Sequence, residues 1–201
     1  MPLIRKPTAR PALKATEADG ILKALADPDP DRRWAAARGA AALVGGGAAL
    51  AAALPTEEDP RVREAMFTGL ARIGTAETAA AAISLLRSDD ANLRTGALDT
   101  LRLMVSQMHD LLPRLLKDQD VDVRILSCEL ARSLPSPEAT SLMCGVLDDE
   151  TEANVCAAAV DVLAEVGGAE ALPSLRACVR KFRDTPFLAF AIKAVVDRLA
   201  A

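Results

Sequence analysis

The chain has 201 residues, 51% of them apolar and 26% charged, with a formal net charge of −4. This is enough apolar material for a sizeable core, and the acidic balance argues against nucleic acid or an anionic membrane as the main ligand. Aromatics are only 2%, with one Trp and no Tyr, so the core must be built from Ala, Leu, Val and Ile.

Taken from the N-terminus, residues 1–17 carry Pro2, Pro7 and Pro11 among the cations Arg5, Lys6, Arg10 and Lys14. Proline fixes φ and removes backbone donors, so this segment is expected to be an arm, extended or disordered. It lacks the apolar core of a secretory signal. No run reaches the roughly 18 apolar residues of a bilayer span. The nearest stretch, 35–54, is interrupted by Arg38 and by Gly45, Gly46 and Gly47. A cytoplasmic location is therefore expected.

From about residue 18 a motif recurs every 30 to 32 residues: DPDRR, DPRVR, DANLR, DVDVR, EANVC and DTPFL, opening at Asp29, Asp59, Asp90, Asp120, Glu152 and Asp184. A fixed period of this size marks a stacked-repeat architecture, because one unit cannot bury its own apolar face. Asp29-Pro30 and Asp59-Pro60 place an acceptor at the N-cap and a proline at the first helical position. The fourth motif position holds Val62, Leu93, Val123, Val155 and Phe187. Apolar residues recur three, four and seven positions after the fifth, as in Met66, Phe67 and Leu70, or Ala159, Val160 and Leu163. That spacing is one face of a helix, the A helix of each unit.

A second helix, B, is expected over 77–87, 107–117, 137–147 and 170–182, with Gly74 and Gly167 closing A helices and Ser136 as an N-cap. Its stripe runs through Leu85, Leu115, Val146 and Cys178 and their neighbours. The fold class is all-α: one α-solenoid domain over 18–201, of about five helix pairs plus a capping helix near the C-terminus. Unit one is nearly all alanine and unit six has only an A-like helix; these ends are where two stacks could pair, and the oligomeric state stays open.

The run LLKDQDVDVRILSCELARSL, and less closely EEDPRVREAMFTGLARIG, resembles HEAT repeats of the short bacterial type, also found in phycobilisome-lyase-like proteins. The resemblance implies a right-handed superhelical scaffold whose B helices line a concave face and bind macromolecules. It also implies that the Asp/Arg pairs Asp29/Arg33, Asp59/Arg63, Asp90/Arg94 and Asp120/Arg124 form a ladder tying turns together. With Glu152/Cys156 and Leu188 in the last units, that ladder is expected to weaken toward the C-terminus. Some relatives handle bilins, and some distant ones repair alkylated DNA.

Candidate sites are few. Cys128 and Cys178 align with core positions, whereas Cys144 is expected to face out and Cys156 stands where arginine usually does. No CxxC or CxH pair is present, so no metal or cofactor is called for. His109 neighbours Asp110, but adjacent helical residues point to different faces, and no catalytic constellation emerges. Trp34 is a candidate partner anchor, with packing against the arm or the 20–26 helix as the competing reading. The outward B positions Ser84, Arg87, Asp110, Arg114, Lys117, Arg176 and Arg180, with Ser141, Asp148, Asp149 and Lys181 among them, make a row of mixed charge. Such a row suits a protein partner better than a polyanion. The expected function is a non-enzymatic protein-protein interaction scaffold or adaptor, with no nucleic-acid or membrane partner. A bilin lyase-like accessory protein is the alternative, and a HEAT-like DNA-binding protein a more distant one.

Overall fold

The computed structural model describes residues 15–200. Most of the segment expected as an arm, 1–14, lies outside the described residues, and residues 15–17 already belong to the first helix. Helix α1 (Ala15–Lys23) runs into a single 3-10 turn, Ala24–Ala26. Helix pairs then alternate A and B. The first two units are α2 (Pro30–Ala40) with α3 (Gly46–Ala53), and α4 (Pro60–Ile73) with α5 (Ala76–Leu85). Units three and four are α6 (Ala91–Leu103) with α7 (Val105–Leu115), and α8 (Val121–Leu130) with α9 (Ser136–Asp149). Unit five is α10 (Ala153–Val166) with α11 (Leu172–Lys181), and α12 (Pro186–Leu199) closes the stack. No strand occurs among the described residues.

The A helices pile in sequence, α2 on α4, then α6, α8, α10 and α12. In the B layer α3 packs on α5 and α9 on α11, while α7 makes its backbone contacts with α6 and α8. The core lies between the layers. Val62, Leu93, Val123 and Val155 are buried from the A side, and Leu85, Leu112, Met143 and Leu175 from the B side. Leu70, Leu101 and Leu163 are fully buried, and each contributes about 2 kcal/mol of hydrophobic stabilisation.

Local chemistry starts the helices as the sequence dictates. The carboxylates of Asp29, Asp59, Asp90 and Asp120 accept backbone N–H groups of their own first turns. Glu152 also sits at an N-cap but makes no such bond. Gly74 ends α4 in the left-handed region (φ 62°), where a side chain would be strained. Ser136 is already helical, with Pro135 before it; its hydroxyl donates instead to the Val166 carbonyl in the next unit at 2.5 Å.

Unit six departs from its expected register. Thr185 precedes Pro186, the first residue of α12, so the repeat begins one residue later than Asp184 suggests. Leu188, Ile192 and Val195 therefore face the core, while Phe187, expected inside, is 53% exposed and Phe190 is 77% exposed.

Candidate functional site

The loops that lead into the A helices are built by one repeated device. The guanidinium of Arg33 donates to the carbonyl of Asp27, six residues earlier, at 2.9 Å. Arg63 does the same to Glu57, Arg94 to Ser88 at 2.7 Å, and Arg124 to Asp118 at 2.8 Å. Carboxylates complete the inter-unit rungs. Arg33 bonds both oxygens of Glu57 at 2.7 and 2.9 Å, Arg63 pairs with Asp90 at 2.8 Å, and Arg124 pairs with Glu150 at 2.7 Å. Arg94 has no carboxylate partner among the described residues; Asp118, in the next loop, is held by Arg87 instead.

In unit five Cys156 replaces the arginine and is fully buried. Lys181 supplies the missing donor from α11, bonding the carbonyls of Leu147, Asp148 and Glu150, each at 2.9 Å. The expected weakening toward the C-terminus is thus compensated there, and the unpaired rung falls in unit three.

Glu57 shows what the rungs do electrostatically. Hydrogen bonding from Arg33 holds its carboxyl below the usual range, against a desolvation cost that acts the other way. At Glu150 burial pushes the carboxyl up, but Arg124 and the N–H groups of Glu152 and Thr151 outweigh it and the group ends lowered. These charges are occupied structurally.

The B face carries the candidate partner residues, and all of them are exposed: Ser84, Arg87, Asp110, Arg114, Lys117, Arg176 and Arg180. Ser84 spends its hydroxyl on the Ala81 carbonyl of its own helix. Lys117 pairs with Asp149 across units at 3.6 Å. Arg114, Arg176 and Arg180 have no carboxylate partner in the described structure. His109 stands on the same face with Nδ1 2.7 Å from Glu138 Oε1, a second link between α7 and α9.

Between these two helices the face opens into a groove of about 550 Å³. Pro113, Leu116, Leu142, Gly145 and Val146 form its apolar wall, and Lys117, Asp149 and Ser141 stand on its rim. Position 145 aligns with Ser84 and Arg114, so glycine here removes the side chain that would fill the gap; a Cβ would meet nothing within 4 Å. Proline at 113 lies inside α7 and deletes one helical hydrogen bond there. Sequence reasoning found the rim and missed the floor. The available signal was the helix-interior proline and glycine at neighbouring aligned positions.

Trp34 lies elsewhere. It belongs to the A layer and lines a cleft whose other lining residues come from α2 and α4. Its exposure is 36%, and the Arg38 guanidinium stacks on its ring 4.7 Å from the centroid.

The thiols are free. Cys128, Cys156 and Cys178 are buried, and Cys144, expected outside, is half-buried because α9 turns it toward Ser174. Burial pushes the Cys128 thiol up to about 12. Among the described residues no group of three His, Cys, Asp or Glu side chains is placed to hold a metal ion.

Comparison with known proteins bears on this geometry. A family model described as HEAT repeats matches residues 18–102 and again 108–194. The chain belongs to the HEAT-repeat family. This HEAT-repeat protein is similar to an engineered protein solved by a structural genomics consortium (18% identity, 92% of this chain and 96% of that one, TM-score 0.44). It is also similar to the complex of CpcE and CpcF of phycocyanin lyase from Nostoc sp. PCC7120 (16% identity, 98% and 100% covered, TM-score 0.40). A designed armadillo repeat protein in complex with the peptide (KR)4 matches at 16% identity, 90% and 98% covered, with a TM-score of 0.41. No curated protein matches the HEAT-repeat chain. None of its described helices is long and apolar enough to cross a membrane.

Proposed function

We propose that this protein is a non-enzymatic interaction scaffold that docks a protein partner on its B-helix face, anchored in the groove between α7 and α9. The observation that carries this reading is the apolar floor of Pro113, Leu116, Leu142 and Val146, left uncovered at Gly145 between charged rims. Desolvated apolar pockets ringed by polar groups are where binding energy concentrates. The occupant is a partner segment with one apolar side chain in the groove, flanked by an acid facing Lys117 and a base facing Asp149. Arg114, Arg176 and Arg180 lack carboxylate partners among the described residues and extend that recognition along the row, with Ser84, Arg87 and Asp110 beside them. Buried free thiols support residence in a reducing compartment such as the cytoplasm.

Gly145→Trp tests it. A Cβ at residue 145 would meet nothing within 4 Å, so the ring is expected to project into the groove, and a thermal melt of the variant checks that it folds. Native affinity capture from the source cells should retain a protein with the wild type and lose it with the variant. Equal retention by both would overturn the assignment of this groove.

A further inference from the structure

The A layer carries a second surface of different chemistry. The cleft between α2 and α4, about 500 Å³, is lined by Trp34, Arg38, Arg61, Glu64 and Arg72 among others. Three guanidiniums and the only Trp of the chain converge there, in a protein whose net charge is −4. Their states differ. Arg61 is fixed as a wall by Asp31 at 2.8 Å and by Asp59 at 3.7 Å. Arg72 reaches across to the Arg38 carbonyl at 3.0 Å with one amino group, which leaves the rest of its fork open. Arg38 rests on the Trp34 ring and has no carboxylate partner among the described residues. A guanidinium on an aromatic face keeps its N–H edge free, and that edge matches a carboxylate in a two-bond fork. Arg38 and Arg72 therefore present unused donors beside an exposed apolar ring.

We infer that this cleft receives an acidic peptide segment of a partner protein, with carboxylates on Arg38 and Arg72 and an apolar side chain on Trp34. The acids around it decide against a polyanion. Glu64 stands on the rim, and the adjoining groove between α4 and α6 adds Glu58 and Asp99. A phosphate backbone crossing the face would run over these three carboxylates, whereas a peptide can place a neutral or basic residue opposite them. Trp and Arg are also the side chains that most often dominate protein–protein binding energy. This surface is separate from the B-face groove and stands or falls independently of it.

Because Trp34 is the sole Trp, its fluorescence reports the cleft directly. The probes are the peptide acetyl-Leu-Glu-Glu-Leu-Glu-Glu-amide, its Gln counterpart, and a short oligothymidylate, each titrated into the intact protein at low ionic strength. The Glu peptide should give a saturable change in emission, with affinity about tenfold or more above that of the Gln peptide, as expected when charge-assisted hydrogen bonds are lost. The Arg38→Gln/Arg72→Gln double variant, altered at two exposed side chains, should lose that preference. No saturable change with the Glu peptide, equal affinity for the Gln peptide, or tighter binding of the oligothymidylate would each overturn the inference. The two-peptide comparison on the wild type needs no variant to fold.

Discussion

Lys181 Nζ lies 2.9 Å from the carbonyl oxygen of Glu150, six positions before Cys156, and so occupies the place that arginine fills in the preceding four units. The donor comes from the opposite layer, but the acceptor is the same loop carbonyl. Lys181→Met keeps the apolar stem and removes the ammonium. It should lower stability by roughly 1 to 2 kcal/mol, the value of charged hydrogen bonds to backbone discounted for solvent exposure. Urea denaturation of the two proteins measures it; an unchanged midpoint would show the contact to be incidental.

Acid should weaken the stack through Glu57 and Glu150. Both carboxyls are lowered in the folded state, so the unfolded chain binds more protons between the folded value and the ordinary Glu value of about 4.3. Their stabilisation is complete above that value and is lost as pH falls through the folded one. Glu57→Gln should cost about 1–3 kcal/mol at neutral pH and give a flatter fall in stability below about pH 4.5. Denaturation midpoints from pH 3 to 7 would reveal whether the slope changes.

Two glycines in equivalent-looking helices should respond with opposite signs. Gly145→Ala gains helix propensity in open space and should stabilise by about 0.5–1 kcal/mol. At Gly96 a Cβ would run into the Phe67 ring, so Gly96→Ala must displace that buried ring and should destabilise by about 1–3 kcal/mol. Thermal melts of both variants decide the point.

The register of α12 predicts which residues matter at the C-terminal end. Leu188→Ala empties a fully buried site and should lose about 2–5 kcal/mol. Phe187→Ala and Phe190→Ala, at exposed positions, should stay within about 0.5 kcal/mol of the wild type. A large loss at Phe187 would restore the register that begins at Asp184.

What was legible in the sequence is what is local. Aspartate caps, proline at the first helical turn, and the three-four-seven stripe are encoded within a few residues, so helices α2 to α11 fall close to where the motif places them. Even the slip at α12 had a signal, since Thr185-Pro186 repeats the cap-and-proline pair of Asp29-Pro30. Lys181 was read as a solvent-facing partner residue because its acceptors lie more than thirty residues back, beyond any local pattern. The groove escaped for a related reason. It is a property of the space between α7 and α9, and only Pro113 and Gly145, at neighbouring aligned positions, hinted at it. Trp34 was singled out as a residue, but the cleft around it was not legible, because its neighbours Arg61 and Arg72 come from the following unit.

The unpaired rung at Arg94 and the gap between α7 and α9 sit at the same junction, the one that joins units three and four. A spring of stacked coils bends where its turns are least tied. Here the two halves meet across a seam bridged on its outer side by His109 with Glu138 and Lys117 with Asp149. The groove is lined from both sides of that seam, by Pro113 and Leu116 before it and Leu142 and Val146 after it, so a side chain seated there would touch both halves at once.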